Sequence, residues 1–217
     1  MCRIQRSVFV LTALAVIELA SSQTPTLVTF DNLAQGPSLY YQAGAMQTIT
    51  VPGVATFTGG VILGYPTNFP AITSATAPNV YGTASTDIGA SSTLSPTIDI
   101  AIDPSFQVNE VEFRLFNGLP SLVSYRADAF SNGTLVSTWS LSNLVGNTFG
   151  GNALMDLDAS NITDVKIYAV GGSSQWDFLI DNVAFNGAPQ PATPEPSSIA
   201  ALGLGSLALA WRRNRRS

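Results

Sequence analysis

The sequence predicts an all-β protein whose main domain is an antiparallel β-sandwich resembling a jelly roll. Across residues 23–187, short segments of alternating polar and apolar residues recur between turn residues, which is the pattern of half-buried strands. No part of that region carries a sustained apolar repeat of 3.6 residues, the pattern of an amphipathic helix. About ten short strands without helices are typical of sandwiches.

The first half of this domain predicts short strands separated by glycine and proline. They are expected at residues 26–30, 48–51, 55–58 and 61–63. Pro52-Gly53 is expected to separate the strands at 48–51 and 55–58, and Gly59-Gly60 those at 55–58 and 61–63. The alternation then stops between residues 64 and 95, where three prolines interrupt the chain, and we expect a long irregular loop there.

The second half predicts longer and more regular strands. They are expected at residues 97–102, 107–116, 122–130, 134–140, 162–170 and 176–185, with a shorter one at 153–158. Asn132-Gly133 lies between two of them and predicts a tight hairpin turn. In the strand before that turn, the alternation places Val123, Tyr125, Ala127 and Ala129 on one side.

The first 22 residues predict a secretory signal peptide. Arg3 and Arg6 precede an apolar segment over residues 8–19, and small residues follow before Gln23. The protein is therefore expected to be exported. The only cysteine, Cys2, lies within this segment, so the mature chain is expected to contain none.

Composition and charge exclude several classes of function. The chain has no histidine, which excludes a Ser-His-Asp triad and the usual zinc sites, and loss of Cys2 excludes a thiol nucleophile. Residues 23–187 carry 3 basic and 12 acidic side chains, a net charge of −9. Nucleic acid is excluded as a partner because phosphate contacts need clustered Lys and Arg. Neutral sugars, cations and other proteins are compatible.

The C-terminal region predicts an extended spacer followed by a membrane helix. Residues 188–198 form a proline-rich spacer, and residues 199–211 are uncharged and mainly Ala, Leu and Gly. As a helix, that apolar segment would span about 20 Å, which is short for a bilayer. The basic residues in the tail over 212–217 favour a cytoplasmic end under the positive-inside rule.

The order of these parts resembles the PEP-CTERM sorting signal. The residues that carry the resemblance are Pro194, Glu195 and Pro196, and after the apolar segment Arg212, Arg213, Arg215 and Arg216. The resemblance implies processing by an exosortase in a Gram-negative bacterium that makes exopolysaccharide. The protein would be held transiently in the inner membrane and then released to the cell surface or extracellular matrix.

Two short segments resemble the terminal strands of jelly rolls of the carbohydrate-binding-module type. They are TFDNL at residues 29–33 and FLIDNVAF at residues 178–185. The resemblance implies that the first and last strands pair, and that Asp31 and Asp181 are oxygen ligands of a structural Ca²⁺. The alternative is that both Asp-Asn pairs bond local backbone as turn or bulge residues.

Other acidic and aromatic residues give weaker indications. Asp156 and Asp158 would share a strand face, either as a cation site or as solvated acids. Glu110 and Glu112 could form a glycosidase pair, although the neighbouring Arg114 favours an ordinary polar face. Aromatic rings could stack on sugars or fill the core; these are Tyr40, Tyr41, Tyr65, Phe69, Tyr81, Trp139 and Trp176.

Two functions follow from these observations. The first is a non-enzymatic surface or matrix protein that contacts exopolysaccharide or other surface components. The alternative is a secreted glycoside hydrolase that acts through carboxylates alone. An acidic pair in a cleft would favour the second.

Overall fold

The computed structural model describes residues 23–37, 45–64, 74–85, 94–171 and 176–187. This part of the chain contains 11 strands and a 3₁₀ turn at Asn147–Phe149. The strands are β1 (Thr26–Val28), β2 (Gln47–Val51), β3 (Ala55–Gly64), β4 (Asn79–Thr83), β5 (Thr97–Ile102), β6 (Glu110–Asn117), β7 (Val123–Ser131), β8 (Thr134–Leu144), β9 (Asn152–Asp158), β10 (Asp164–Val170) and β11 (Phe178–Phe185).

All strand pairs are antiparallel and form two sheets that share β3. Sheet A begins with the order β9-β6-β11. Along its other edge, β11 pairs with both β4 and β1, and the second half of β3 pairs with β4. Sheet B has the order β8-β7-β10-β5, followed by the first half of β3 and then β2. The predicted antiparallel all-β architecture is confirmed, and the first and last strands pair as the resemblance implied.

The prediction of two strands interrupted at Gly59-Gly60 was wrong, because β3 is continuous across both glycines. They mark the point where the strand leaves sheet B and enters sheet A. Gly59 has a φ of 98°, and a Cβ at this residue would lie 2.0 Å from the carbonyl oxygen of Thr97. Glycine therefore permits both the unusual backbone angle and the close approach of β5.

The expectation of an irregular loop over residues 64–95 was wrong in its centre. There β4 pairs with β3 on one side and with β11 on the other. All five of its residues are buried, including the polar Asn79 and Thr83, so burial does not follow the polar and apolar alternation of a half-buried strand.

A main core fills the space between the two sheets. It contains the inward residues of both sheets, including an aromatic cluster in which the ring of Phe30 lies 5.1 Å from that of Phe57 and 5.6 Å from that of Tyr81. A second, smaller core lies on the outer face of sheet A. Its residues are Val61, Leu63, Val80, Ala84, Leu94, Phe116 and Leu179. Sheet A is thus apolar on both faces around β4 and β11, whereas the outer face of sheet B is polar.

No helix in the described part of the chain is long and apolar enough to cross a membrane. The predicted signal peptide, spacer, membrane helix and basic tail all lie outside the described residues.

Candidate functional site

One candidate site lies beneath the covered outer face of sheet A, around Asp181 on β11. This carboxylate is fully buried next to a β-bulge, where Asn182 has a φ of 53°. Its Oδ2 accepts hydrogen bonds from the backbone N–H and the hydroxyl of Thr76, at 2.7 and 3.0 Å. Its Oδ1 has no hydrogen-bond partner among the described residues. A buried oxygen without a partner is costly when the carboxylate is charged.

Asp31 lies close to Asp181 and contacts the same segment of chain. Its Oδ1 accepts a hydrogen bond from the backbone N–H of Asn79 at 3.1 Å. The side-chain amide of Asn79 donates in turn to the carbonyl oxygens of Phe30 and Leu33, each at 3.1 Å. The segment before β4 is therefore tied to the residues after the first strand and to the bulge in the last one.

Burial raises the pKa of Asp181 from 3.8 to about 7. The hydrogen bonds from Thr76 and from the backbone N–H of Asn182 lower the pKa in part, and the charge of Asp31 raises it again. Two acidic side chains with one unpartnered buried oxygen match the hard oxygen ligands that Ca²⁺ prefers. The residues present therefore fit a calcium ion, and the partners of both carboxylates lie mainly in a distant segment of the chain.

A second candidate site is the open outer face of sheet B, which we call the polar face. The strand register aligns two rows of side chains across this sheet. The first row is Thr58, Asp99, Lys166, Asp128 and Thr138, and the second is Thr97, Tyr168, Arg126 and Ser140. Two of the domain's three basic side chains lie here, so the charge of this face is nearly balanced in a strongly acidic domain.

Asp128 is the centre of the polar face. Its Oδ1 accepts hydrogen bonds from Nε of Arg126 and from the hydroxyl of Thr138, both at 2.7 Å. Its Oδ2 accepts a hydrogen bond from the hydroxyl of Tyr168 at 2.8 Å. Burial alone would raise the pKa of Asp128, but the three donors outweigh burial and lower the pKa below its usual value. The network therefore holds an ionised carboxylate, a guanidinium and a phenol ring in fixed positions.

A groove of about 400 Å³ with a mixed polar and apolar lining continues this face toward the Asn132-Gly133 hairpin. Its lining includes Asp103, Asn132, Asn161 and Asp164. Asp164 lies on the same strand as Lys166 and Tyr168, and its Oδ2 accepts a hydrogen bond from the hydroxyl of Thr163 at 2.8 Å.

Sequence reasoning missed the Asp128 network. A signal was present, because the alternation that places Tyr125 and Ala127 inward must place Arg126 and Asp128 outward. The third partner, Tyr168, lies 40 residues further along the chain and becomes a neighbour only through the pairing of β7 with β10.

The aromatic residues singled out by the sequence do not form an exposed cluster among the described residues. Tyr81 is fully buried, and its hydroxyl donates to the carbonyl oxygen of Gln47 and accepts from the N–H of Gly60. Of the two alternatives left open for Tyr81, the structure therefore favours the second, since the ring belongs to the core. Trp139 and Trp176 are half-buried and pack against the core. The others, Tyr40, Tyr41, Tyr65 and Phe69, lie outside the described residues.

An acidic cluster lies at the edge of sheet A. Asp156 and Asp158 share a face of β9 as predicted, and a carboxylate oxygen of each lies within 4.8 Å of one from Glu110. Burial raises the pKa of Glu110, and the charges of both aspartates raise it further. Glu112 lies opposite Asp156. Both aspartates are exposed, which is typical of solvated acids on an outer face.

The sorting residues themselves, Pro194 to Pro196 and the four arginines, lie outside the described residues. A family model described as "PEP-CTERM protein-sorting motif" nevertheless matches residues 192–216. The chain therefore carries a PEP-CTERM sorting motif, which marks an exported protein that an exosortase sorts to the cell surface.

Several solved structures are similar to the described domain. The K2 cleaved adhesin domain of Lys-gingipain is 15% identical, with a TM-score of 0.45 over 75% of this chain and 99% of that one. The K1 domain of Lys-gingipain from Porphyromonas gingivalis W83 is 14% identical, with a TM-score of 0.41 over 76% and 99%. A family 6 carbohydrate-binding module is 13% identical, with a TM-score of 0.33 over 65% and 93%. No curated protein matches this chain.

Proposed function

We propose that this chain is a non-catalytic protein of the cell surface or extracellular matrix, and that its polar face contacts exopolysaccharide. The sorting motif gives the destination, because PEP-CTERM proteins are exosortase substrates. The observation that carries the binding proposal is the fixed network of Arg126, Asp128 and Tyr168 on an open sheet face.

The chemistry of this face suits a sugar. A saccharide offers hydroxyl groups that both donate and accept hydrogen bonds, together with apolar ring faces. Arg126 and Lys166 supply donors, Asp99 and the threonines supply acceptors, and the half-buried ring of Tyr168 lies between them. Because Asp128 already fixes three of these groups, Arg126, Thr138 and Tyr168, little side-chain freedom would be lost on binding.

The test measures binding of the full chain to the exopolysaccharide of its own host, by pull-down and calorimetry. We expect Arg126→Ala and Tyr168→Ala to weaken binding about tenfold each, equivalent to about 1.4 kcal/mol. Arg114→Ala is the matched control, since this arginine lies on the outer side of sheet A, with Nη1 donating to Oδ1 of Asn152 at 3.4 Å. Equal binding by all variants, or no binding by the unaltered chain, would contradict the polysaccharide proposal.

The same purified chain tests whether the domain is non-catalytic. We expect no release of reducing sugar from that polysaccharide by the unaltered chain. Turnover that disappears in Glu110→Gln would instead support the hydrolase alternative, in which the acidic cluster would perform the chemistry.

The sorting step has its own test. Mass spectrometry of the surface-exposed protein should show a C-terminus before the apolar segment at residues 199–211, and deletion of the exosortase should retain the full-length form in the membrane. An intact Ser217 on the surface protein would contradict processing.

We also propose that Asp31 and Asp181 hold a structural Ca²⁺. The unpartnered Oδ1 of Asp181 and the nearby carboxylate of Asp31 support this assignment. Calcium at 100 times its Kd should stabilise the unaltered chain by about 2.7 kcal/mol. Asp181→Asn should abolish the increase in melting temperature, whereas Asp156→Asn in the exposed cluster should keep it. An unchanged melting temperature of the unaltered chain would rule out the metal.

A further inference from the structure

The strand β8 forms one free edge of sheet B. Among the described residues its only ladder is with β7, although it also lies close to β9. Its sequence, TLVSTWSLSNL, contains no charged residue, no proline and no glycine. Exposed edges of this kind are templates for pairing with another strand, and most proteins protect them with charges, prolines or bulges. Of these, β8 has only two register shifts against β7, both near its ends.

The opposite end of the strand order shows such protection. The edge strand there is β9, and it carries Asp156 and Asp158 beside Glu110. A second molecule that approached along β9 would bring its own acids against these three. Like charges opposite one another are destabilising, so this edge disfavours pairing.

The uncharged β8 edge is a part of the surface where a second copy of the domain would meet little repulsion. Two copies of a domain with a net charge of −9 repel each other over most of their surface. At β8 no charged side chain of the strand itself opposes the approach. Strand pairing about a two-fold axis is also self-complementary, because the same edge supplies donors and acceptors to its copy.

The side chains and the register of β8 support the same partner. Leu135 and Val136 are 48% and 40% exposed, and pairing of two copies would cover them in part. Two irregularities lie at the ends of β8, and between them residues 137–141 pair one to one with β7. That central segment is the regular part of the edge, where a partner strand could continue the ladder.

We propose that β8 is a self-association edge, where two copies of this chain pair antiparallel and join their B sheets into one. The polar faces of the two copies would then lie side by side on a continuous sheet. This proposal does not depend on what the polar face binds.

Disulfide cross-linking tests the proposal in the full-length chain. In a Cys2→Ser background, single cysteines are introduced as Val136→Cys, Ser140→Cys and Ser142→Cys, and the expressing cells are treated with a mild oxidant. We expect disulfide-linked homodimers whose yield peaks at one position and falls on both sides, because antiparallel pairing places one residue nearest the two-fold axis. Leu154→Cys on β9 is the matched control, since Leu154 is 38% exposed, close to the value for Val136.

A charge variant provides the second measurement. Adding Ser140→Glu to the cysteine variant with the highest yield should lower the dimer about tenfold, because the two-fold axis brings two carboxylates close together. The melting temperature of the variant reports whether the fold is kept. The proposal is overturned if cysteines on β8 cross-link no better than Leu154→Cys, if they cross-link to a different protein, or if Ser140→Glu leaves the homodimer yield unchanged in a folded chain.

Discussion

The outer faces of the two sheets differ in polarity and in what covers them. Sheet B leaves its outer face open and polar, whereas sheet A is covered around β4 and β11 by a second small core. Each sheet nevertheless places an aspartate almost out of reach of solvent, with Asp128 at 7% exposure and Asp181 at 0%. Asp181 lies much deeper than Asp128, which is just below the polar face, so the two sites differ in depth as well as in their hydrogen-bond donors.

The number of hydrogen-bond donors differs as well as the depth of burial. Asp128 accepts from three side chains through both of its oxygens, and its pKa is lowered despite burial. Asp181 accepts through Oδ2 from Thr76, its Oδ1 has no partner in the part of the chain that the structure describes, and its pKa is raised to about 7. Burial alone thus does not set the pKa of a carboxylate, since donors can outweigh it. The polar face stabilises the ionised form of Asp128, whereas Asp181 beneath the covered face needs a bound proton or a cation to balance its charge.

The largest expected effect is a pH dependence of stability that comes from Asp181. Without metal, the unfolded chain loses the Asp181 proton near pH 3.8, while the folded chain keeps it until about pH 7. The folded state therefore binds more protons in this window, and raising the pH destabilises it. A pKa raised from 3.8 to about 7 is equivalent to about 4 kcal/mol lost above pH 7.

Asp181→Asn isolates this contribution. Urea unfolding of both proteins in EDTA should show that the variant gains stability relative to the unaltered chain as pH rises from 4 to 8. A constant difference between the two proteins across that range would show that Asp181 is not protonated in the folded chain, and the contrast between the two sheets would then fail.

The next largest effect is expected at Asp128, with the opposite sign. The pKa of Asp128 is lower in the folded chain than in the unfolded chain. Its ionised form therefore stabilises the fold above the pKa of the unfolded chain, and this stabilisation is lost as the pH falls through the pKa of the folded chain. Asp128→Asn should cost about 2 kcal/mol at pH 7, because it weakens hydrogen bonds from Arg126, Thr138 and Tyr168. Urea unfolding should show this cost shrinking at acidic pH. A cost that grows on acidification would contradict the network.

The sequence predicted the regular parts of the molecule better than its two sites. Alternation identified β5, β6 and β7, because each has one face in the core and one outside. The hairpin was also confirmed, with φ of 49° at Asn132 and 80° at Gly133. Local patterns suffice where the structure is decided by neighbours in the chain.

Both sites depend instead on partners distant in sequence. Resemblance to known terminal strands singled out Asp31 and Asp181, but the main donor to Asp181 is Thr76, which is 105 residues away. Thr76 also lies in the stretch that was expected to be irregular, where β4 is short and its polar residues are buried like its apolar ones. Contacts of this kind come from strand order and bulges, which a single sequence does not encode locally.

The smallest expected effect concerns the other ion pair of the polar face. Nζ of Lys166 lies 3.5 Å from Oδ1 of Asp99, and the two side chains are 54% and 38% exposed. Exposed pairs contribute little because water and salt screen them, so Lys166→Gln should change the free energy of unfolding by less than about 0.5 kcal/mol. Urea unfolding at low and high salt measures this.

The same variant sharpens the comparison between the two sheets. If Lys166 serves binding on the open face, Lys166→Gln should weaken polysaccharide binding while leaving stability unchanged. A loss of more than about 1 kcal/mol in stability would instead exceed what an exposed pair contributes. Lys166 would then belong to the network of Asp128, which lies opposite it on β7. The main role of the polar face would then be to stabilise the fold.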